Sequence, residues 1–496
     1  MQRKDFIRLS GGTTAFVLFG GISWLFQSCS KSGMKSMGSI SVMEGDFDYL
    51  LPIPQTLLGT NVISLNAKSN TASIIKGKKS RVLGYSGGIL GSIIKVQNGQ
   101  SVNIDFINGL EEETNIHWHG LIIPADMDGH PEKIIQPGSS FNYNFTVNQR
   151  AGTYWFHPHT HMKTAKQVFK GLAGIFIVSD SEETTLNLPS GEFEIPLVIQ
   201  DKRIYSDGSL NYSPTTDDVM SGYFGDYICV NGAWSSYHEV KTRIHRLRIV
   251  NGSTARVYNL SFSNNANFYL IGSDAGLIAT SQSINSLIIA PGERADILID
   301  FSSVPIGSEV FLQSNTFNGG DSQGTAAFKI MKFKIVTQEA ENFTIPSSLS
   351  AITSLSPASA IRSRSFDIAN SHGGMNMENM GSMGNVHNIG GKSFDINRID
   401  ETVKAGDTEI WEFDNTNGMD IHPMHIHGLH FQVLSRTGGR NSVQPHETGW
   451  KDTVLLMPGE KVRVIMTFPN NLGKFVFHCH NLEHEDSGMM LNFKII

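Results

Sequence analysis

The sequence predicts an all-β protein built from three similar β-sandwich units. Short alternating or β-branched runs recur along the chain, for example at residues 101–106, 246–250 and 461–466, with glycine, proline and asparagine between them. Charged residues make up only 17% of the chain and glycine is abundant at 49 residues, which suits a protein with many turns. No long helical periodicity competes with these runs, so β-sandwiches are favoured.

The length of the chain predicts the number of domains, and its charge bears on the class of partner. A chain of 496 residues predicts about three domains. It carries 39 Lys and Arg against 46 Asp and Glu, a net charge of −7. Because there is no basic surplus to neutralise phosphates, this balance argues against a nucleic-acid partner.

Residues 1–29 resemble an export signal. The charged start at residues 3–8 resembles a twin-arginine motif with one Arg replaced by Lys, and an apolar stretch follows it. Residues 25–29 resemble a lipoprotein signal in which Cys29 would be acylated, with Phe where Leu is usual. We expect an exported protein of the periplasm or cell envelope, anchored by lipid; a retained anchor helix is the alternative. Residues 30–45 predict a flexible linker.

The three predicted units share a strand that ends in asparagine and, later, a Pro-Gly turn. The asparagines are Asn108, Asn251 and Asn415, and the prolines are Pro137, Pro291 and Pro458. Polar stretches rich in Ser, Thr and Pro separate the units. We therefore predict domains at residues 46–182, 190–340 and 355–496.

Histidine is concentrated in His-x-His pairs. Chance placement of 18 histidines predicts fewer than one such pair, but the chain has five. In the first and third units one pair precedes the Pro-Gly turn and another follows it. The second unit has no such histidine pair. Side chains two apart on a strand point the same way, so four pairs would supply the eight imidazoles of a shared metal cluster. These are His117, His119, His157, His159, His425, His427, His478 and His480.

Cys479 stands between the two histidines of the last pair, so on a strand it faces the other way. His484 and Met489 follow it, and with His422 they complete the ligand set of a blue-copper electron-transfer site. A metal on Cys479 and a cluster on the flanking histidines would then be joined by a few covalent bonds. Eight neutral nitrogens favour copper over calcium or magnesium, and structural zinc needs no such electron path.

These motifs resemble the four copper motifs of the multicopper oxidases. The segments that carry the likeness are 117–120, 157–159, 422–427 and 478–489, and the three-unit repeat extends it over residues 45–496. Segments 171–174, 449–453 and 480–490 are most similar to the bacterial copper efflux oxidases. The resemblance implies three cupredoxin-like Greek-key β-sandwich domains, with a trinuclear copper site between the first and the third.

The resemblance also implies four copper ions, one of type 1, one of type 2 and two of type 3. The type 1 ligands would be His422, Cys479, His484 and Met489. The type 2 ligands would be His117 and His425. The two type 3 sets would be His119, His157 and His480, and His159, His427 and His478. By resemblance Asp128 and Glu485 are the expected proton donors, unless each only orients a ligand.

A methionine-rich loop at residues 371–388 points to the reductant. Its thioethers, soft ligands that prefer Cu(I), are Met375, Met377, Met380 and Met383. The loop resembles the methionine-rich segment of copper efflux oxidases, although a low-complexity linker is the alternative. Near the type 1 ligands, Met419 and Asp420 resemble a docking site for substrate Cu(I), in a different order and offset.

The predicted function is oxidation of Cu(I), or of another small reducing substrate, coupled to reduction of O2 to water. We expect a monomer that serves copper detoxification or homeostasis. Two alternatives remain open. One is a laccase-like phenol oxidase with the same coppers, and the other is a non-enzymatic copper-binding or assembly protein on the same fold.

Overall fold

The computed structural model describes residues 41–60, 62–320, 323–368 and 386–496. Strands dominate this part of the chain and form six sheets, so the predicted all-β class is confirmed. The α-helices are short: Thr164–Phe169 (α1), Ser181–Thr185 (α2), Thr216–Ser221 (α3) and Leu482–Asp486 (α4). 3-10 turns lie at Gly191–Phe193, Pro357–Ser359 and Pro445–Glu447. None of the helices described is both long and apolar enough to cross a bilayer.

The first pair of sheets surrounds a core of Trp118, Phe106 and Phe156. After Tyr49–Leu50 (β1), its strands in chain order are Thr56–Leu58 (β2), Ile63–Ala72 (β3), Ser80–Tyr85 (β4), Ile93–Gln97 (β5), Ser101–Asn108 (β6), His117–His119 (β7), Ser140–Thr146 (β8), Gly152–His157 (β9) and Gly174–Ser179 (β10). One sheet has the order β4-β3-β6-β8 and the other β2-β5-β10-β9-β7.

The second pair of sheets is the largest and follows directly. Its strands are Glu194–Lys202 (β11), Tyr227–Val230 (β12), Ala233–Trp234 (β13), Ser236–Lys241 (β14), Ile244–Asn251 (β15), Tyr258–Phe262 (β16), Phe268–Ser273 (β17), Gly276–Ile284 (β18), Leu287–Ile289 (β19), Arg294–Asp300 (β20), Glu309–Ser314 (β21) and Phe328–Thr337 (β22). The sheet orders are β13-β12-β11-β15-β20-β17-β18 and β1-β14-β22-β21-β16-β19.

The third pair of sheets carries the C-terminal motifs. Its strands are Arg362–Asp367 (β23), Glu401–Val403 (β24), Thr408–Asp414 (β25), His422–Ile426 (β26), Phe431–Thr437 (β27), Thr453–Leu456 (β28), Lys461–Thr467 (β29), Gly473–Cys479 (β30) and Met490–Ile495 (β31). The orders are β23-β25-β29-β27 and β24-β31-β30-β26-β28. Alternate residues of β25 and β29, such as Phe413 and Val464, fill the core between them.

The repeated asparagine and Pro-Gly turn have the same structural role in all three units. The glycine N–H of each turn donates to the backbone carbonyl of the asparagine, over 2.7 Å for Gly138 and Asn108, 3.0 Å for Gly292 and Asn251, and 3.1 Å for Gly459 and Asn415. Each glycine has a positive φ, between 74° and 85°, a conformation that glycine adopts without strain. The repeated sequence pattern therefore forms the same hydrogen bond in each unit, between the asparagine at the end of one strand and the turn before a later strand.

The strands of each pair lie within one of the three predicted domain ranges, with one exception. Residues 49–50 precede the first pair, yet they pair in parallel with residues 236–237 and extend a sheet of the second. The exact domain boundaries stay predictions. The predicted export signal lies outside the described residues.

Candidate metal centre

Two antiparallel strand pairs place the paired histidines side by side. In the first unit His117 of β7 lies opposite His157 of β9. In the third unit His425 of β26 lies opposite His478 of β30. The eight histidines form one cluster at the meeting of these two units, and all are buried; they are His117, His119, His157, His159, His425, His427, His478 and His480.

Within this histidine cluster the imidazole nitrogens approach one another closely. The Nε2 atoms of His117 and His425 are 3.4 Å apart. His478 Nε2 lies 3.1 Å from the Nε2 atoms of both His159 and His427. His157 Nε2 is 3.5 Å from His119 Nδ1, and the His480 ring lies 5.0 Å from that of His119 between centroids.

The hydrogen bonds of the cluster fix which nitrogens carry lone pairs. The Nδ1 atoms of His117 and His425 lie 2.8 Å from the backbone oxygens of Asp128 and Asp452, and His478 Nδ1 lies 3.0 Å from that of Cys479. A carbonyl oxygen only accepts, so each Nδ1 donates and each Nε2 keeps its lone pair. Lone pairs facing one another at these distances repel unless a cation lies between them. The donor set therefore fits a bound metal.

His119 faces the cluster with Nδ1, whereas His117, His425 and His478 face it with Nε2. Its Nε2 donates to the carboxylate of Asp452 over 3.0 Å, which leaves Nδ1 to face the cluster. The residue after β7 leaves room for that carboxylate, because a Cβ at Gly120 would lie 2.5 Å from an Asp452 oxygen.

Burial favours the neutral form of six of these imidazoles. Desolvation lowers the pKa of His117, His119, His159, His427 and His480 well below the ordinary value. It lowers the pKa of His157 to about 3. Neutral imidazole is the form that binds a metal, so the cluster is ready for one at neutral pH.

A second, mononuclear site is centred on Cys479. Its Sγ lies 3.6 Å from His422 Nδ1 and 3.7 Å from His484 Nδ1. His484 Nε2 lies 2.9 Å from the Met220 carbonyl, so Nε2 donates and Nδ1 turns its lone pair to the sulfur. Met489 is buried, and its backbone carbonyl accepts a hydrogen bond from the Cys479 N–H over 3.0 Å. Burial raises the pKa of the Cys479 thiol, so a bound cation is what would hold it as thiolate.

The two sites share one strand. Cys479 groups with His422 and His484, whereas its neighbour His478 groups with His159 and His427. Side chains alternate along β30, so the two groups lie on opposite faces and are joined through the backbone of adjacent residues. This arrangement links the Cys479 site to the histidine cluster by a short covalent path.

Two carboxylates contact the outer nitrogens of the cluster, and both are buried. Asp128 Oδ2 accepts from His427 Nδ1 over 2.7 Å, and burial raises the pKa of this carboxyl well above its ordinary value. Glu485 Oε2 lies 3.2 Å from His478 Nδ1, and its Oε1 lies 3.5 Å from His159 Nδ1.

Sequence reasoning missed two residues of this environment, Asp452 and Arg294. The buried guanidinium of Arg294 pairs with both carboxylate oxygens of Asp452, which in turn holds His119. Nearby, Lys451 Nζ lies 2.9 Å from Asp274 and 2.8 Å from Glu293. This buried ion network joins the second pair of sheets to the third. Segment 449–453, noted above for its likeness to the copper efflux oxidases, contains Lys451 and Asp452, but the likeness gave neither residue a role.

The predicted substrate residues are placed only in part. Met419 is 65% exposed and Asp420 is partly buried, and both precede His422 closely in the chain. The four loop methionines, Met375, Met377, Met380 and Met383, lie outside the described residues. Among the other histidines, His430 donates to the Gly120 carbonyl over 2.7 Å, and His161 packs edge-on against Phe394.

Comparison with known proteins agrees with this geometry. Family models described as multicopper oxidase match residues 66–183 and 368–496. The chain is 37% identical to the multicopper oxidase mco of Staphylococcus haemolyticus, over 87% of this chain and 88% of that protein. It is 33% identical to the laccase of Bacillus subtilis, over 83% and 89%.

The fold matches that of a solved relative. The crystal structure of the multicopper oxidase McoA from Aquifex aeolicus superposes with a TM-score of 0.81 at 35% identity, covering 90% of this chain and 99% of that one. The two segments that match the family models contain all eight clustered histidines. The chain therefore belongs to the multicopper oxidase family, copper-binding oxidoreductases that use dioxygen.

Proposed function

We propose that this enzyme oxidises Cu(I) to Cu(II) and reduces dioxygen to water. Four Cu(I), one O2 and four protons give four Cu(II) and two waters. The observation that carries the choice of a metal ion is the covering of the mononuclear site. His422 and His484 are both buried, and the Met220 carbonyl lies against the outer edge of His484. Because both imidazoles are buried, a phenol ring cannot contact either of them in this structure.

Met419 supports the same choice. Its side chain is 65% exposed, three residues before His422, and the partly buried carboxylate of Asp420 is next in the chain. A soft thioether beside a carboxylate suits a cuprous ion and its cupric product. The methionine-rich loop at residues 371–388 would add further thioethers.

We assign four coppers to the donors described above. Copper bound there would supply one-electron redox chemistry and store the four electrons that dioxygen requires. The type 1 ligands are His422, Cys479, His484 and Met489. The type 2 ligands are His117 and His425. The type 3 ligands are His119, His157 and His480 for one ion, and His159, His427 and His478 for the other.

We assign proton supply to Asp128 and Glu485. Each carboxylate lies within 2.7–3.2 Å of an outer nitrogen of the histidine cluster. A buried carboxylate so close to a reacting centre can hold a proton for transfer. The same contacts orient the rings, so each residue would serve both purposes.

Oxygen uptake with Cu(I), ferrous ion and a phenol, measured side by side, tests the choice of substrate. We expect the rate to be highest with Cu(I). We expect Met419→Leu to lower it, and also deletion of residues 371–385, which removes the four loop methionines but keeps His387. Met43→Leu, at another exposed methionine (48%), is the matched control and should change nothing. A higher rate with the phenol, unaffected by these changes, would support the laccase-like alternative.

The non-enzymatic alternative makes a different prediction. A copper-binding or assembly protein would take up no oxygen with any of the three reductants, even when loaded with four coppers. Oxygen uptake together with the blue colour of a thiolate–copper site would exclude it.

We also propose that the protein is exported and held in the cell envelope by a lipid on Cys29, and that it is a monomer. The support is the sequence of residues 1–29. Cys29→Ala should release the protein from the membrane fraction, and light scattering of the released protein should give the mass of one chain. Release without the substitution would contradict the lipid anchor.

A further inference from the structure

The imidazole of His387 lies face to face with that of His484. Their ring centroids are 4.2 Å apart and the ring planes differ by only 21°. His387 is completely buried. It is the last histidine of residues 371–388, which the sequence predicts to be a methionine-rich loop or a low-complexity linker. Its burial against a residue of the mononuclear site was therefore not expected.

Two hydrogen bonds to one residue hold His387 in place. Its backbone N–H donates to the Ser487 carbonyl over 3.0 Å, and its Nδ1 lies 2.5 Å from the Ser487 hydroxyl. That hydroxyl donates to the Glu483 carbonyl over 2.8 Å, so it accepts from His387 Nδ1–H. The tautomer and the plane of the ring are therefore both fixed.

Ser487 is also the residue that ends α4, the helix that carries His484. The stacked pair is thus built on a single short segment, with His484 inside the helix and His387 bound to its end. From the other side, the Ser393 hydroxyl donates to the His387 carbonyl over 2.7 Å. The separation of the two rings is set by backbone geometry.

His484 is consequently held in two directions. The Met220 carbonyl accepts from its Nε2 at one edge, and His387 covers one face. Rotation of the ring about its Cβ–Cγ bond would break the bond and the stack together. Its Nδ1 is therefore kept on the line to the Cys479 sulfur.

We propose that His387 is a positioning residue of the mononuclear copper site, one that fixes the His484 imidazole and excludes water from its face. This inference rests on the type 1 assignment in the proposed function. A ring that cannot tilt changes little between the two oxidation states, which favours fast electron transfer. Outer residues of this kind typically change metal affinity or activity by about 10–100-fold when they are removed.

Three variants separate the stack from the hydrogen bond. His387→Ala removes both, His387→Phe keeps a planar ring against His484, and Ser487→Ala keeps the histidine but removes its acceptor. His245→Ala is the matched control, because it removes a buried histidine that packs on Phe193 and Phe301 instead. Its apoprotein should lose thermal stability as the His387→Ala apoprotein does.

The readouts are the type 1 copper affinity, the absorbance at roughly 600 nm, and the midpoint potential from redox titration. For His387→Ala we expect an affinity lower by about 10-fold or more and a lower potential, since water entering the vacated space favours Cu(II). His387→Phe should stay close to the parent protein, and Ser487→Ala should fall between the two.

The outcomes distinguish this inference from the proposed function. If the parent protein has no blue band when loaded with copper, the type 1 assignment fails and this inference fails with it. If the parent is blue but His387→Ala has the same band, potential and affinity, only the role of His387 is overturned. An equal shift in His245→Ala would also overturn it, because the effect would then be general loss of packing.

Discussion

Replacing Arg294 by methionine removes a buried charge and keeps only the unbranched, apolar part of the side chain. Arg294 is completely buried and uses all its donors. Its terminal nitrogens bind both oxygens of Asp452, and they donate to the carbonyls of Gly292 over 2.7 Å and Asp274 over 2.9 Å. Its Nε donates to the Thr153 carbonyl over 3.1 Å. The substitution leaves all of these acceptors without the hydrogen bonds that Arg294 donates.

The magnitude follows from those contacts. Removing one partner of a buried ion pair costs about 3–5 kcal/mol, because the other charge is left uncompensated. The Asp452 carboxylate would keep the Thr453 hydroxyl, at 2.9 Å, His119 Nε2, at 3.0 Å, and a longer contact of 3.5 Å with His425 Nδ1, none of which replaces the lost guanidinium charge. Three carbonyls would also lose a donor, so we take about 3–5 kcal/mol as the lower bound of the loss in the free energy of unfolding.

The pH dependence gives an independent check. Burial alone would raise the pKa of Asp452, but Arg294 and His119 hold it well below its ordinary value. A carboxyl with a lowered pKa in the folded state stabilises the protein above about pH 4 and loses that effect as the pH falls through the folded-state pKa. Without Arg294 the buried carboxyl would take up a proton at higher pH. The difference between parent and variant should therefore shrink on acidification.

Denaturant unfolding of the two apoproteins at pH 7 and at about pH 4 measures the effect. Arg463→Met is the control, since that side chain is 44% exposed and its partner Glu412 is 3.9 Å away. We expect it to change the free energy of unfolding by no more than about 0.5 kcal/mol. A loss below about 1 kcal/mol in Arg294→Met, or a loss that does not depend on pH, would refute the reasoning.

Three further predictions concern the copper ligands and their partners. Cys479→Ser should abolish the absorbance at roughly 600 nm and lower the copper content by about one ion per chain, whereas Cys229→Ser should change neither. Asp128→Asn replaces the acceptor of His427 Nδ1–H, and should lower copper retention or oxygen uptake by about 10–100-fold; Asp126→Asn, 78% exposed, is the control. For the apoprotein, the pKa of His157, lowered to about 3, means that the unfolded chain binds more protons below pH 6.5. His157 alone should lower the free energy of unfolding of the apoprotein by about 2 kcal/mol at pH 5 relative to pH 7. Equal unfolding midpoints at the two pH values would contradict this prediction.

The local part of the site could be predicted because strand geometry determines it. Side chains alternate along β30, so the separation of Cys479 from His478 follows from their order in the chain. Likewise the repeated asparagine and Pro-Gly turns predict three similar units, since each turn closes on its asparagine in the same way. These inferences need no knowledge of how the units meet.

The supporting residues could not be predicted in this way, because their partners are distant in the chain. Arg294 and Asp452 are separated by 158 residues, and His387 and Ser487 by 100. The burial of His387 was not predicted either, because the residue lies near the end of a stretch that is polar and rich in glycine. The pairing of residues 49–50 with the second unit involves only two residues, too few for any periodicity to show.

The second pair of sheets lacks the paired histidines, and its contacts explain why it still bears on the copper chemistry. Its Pro-Gly turn, which corresponds to those that precede histidines in the other two units, packs directly on the cluster. A Cβ at Gly292 would lie 2.9 Å from the His480 ring and 3.1 Å from that of His119. Two residues on, Arg294 holds the carboxylate that fixes His119. The backbone of this turn and the guanidinium that follows it thus contact the clustered histidines of the other two units and the carboxylate that orients one of them, so the second unit supports the cluster without contributing a histidine to it.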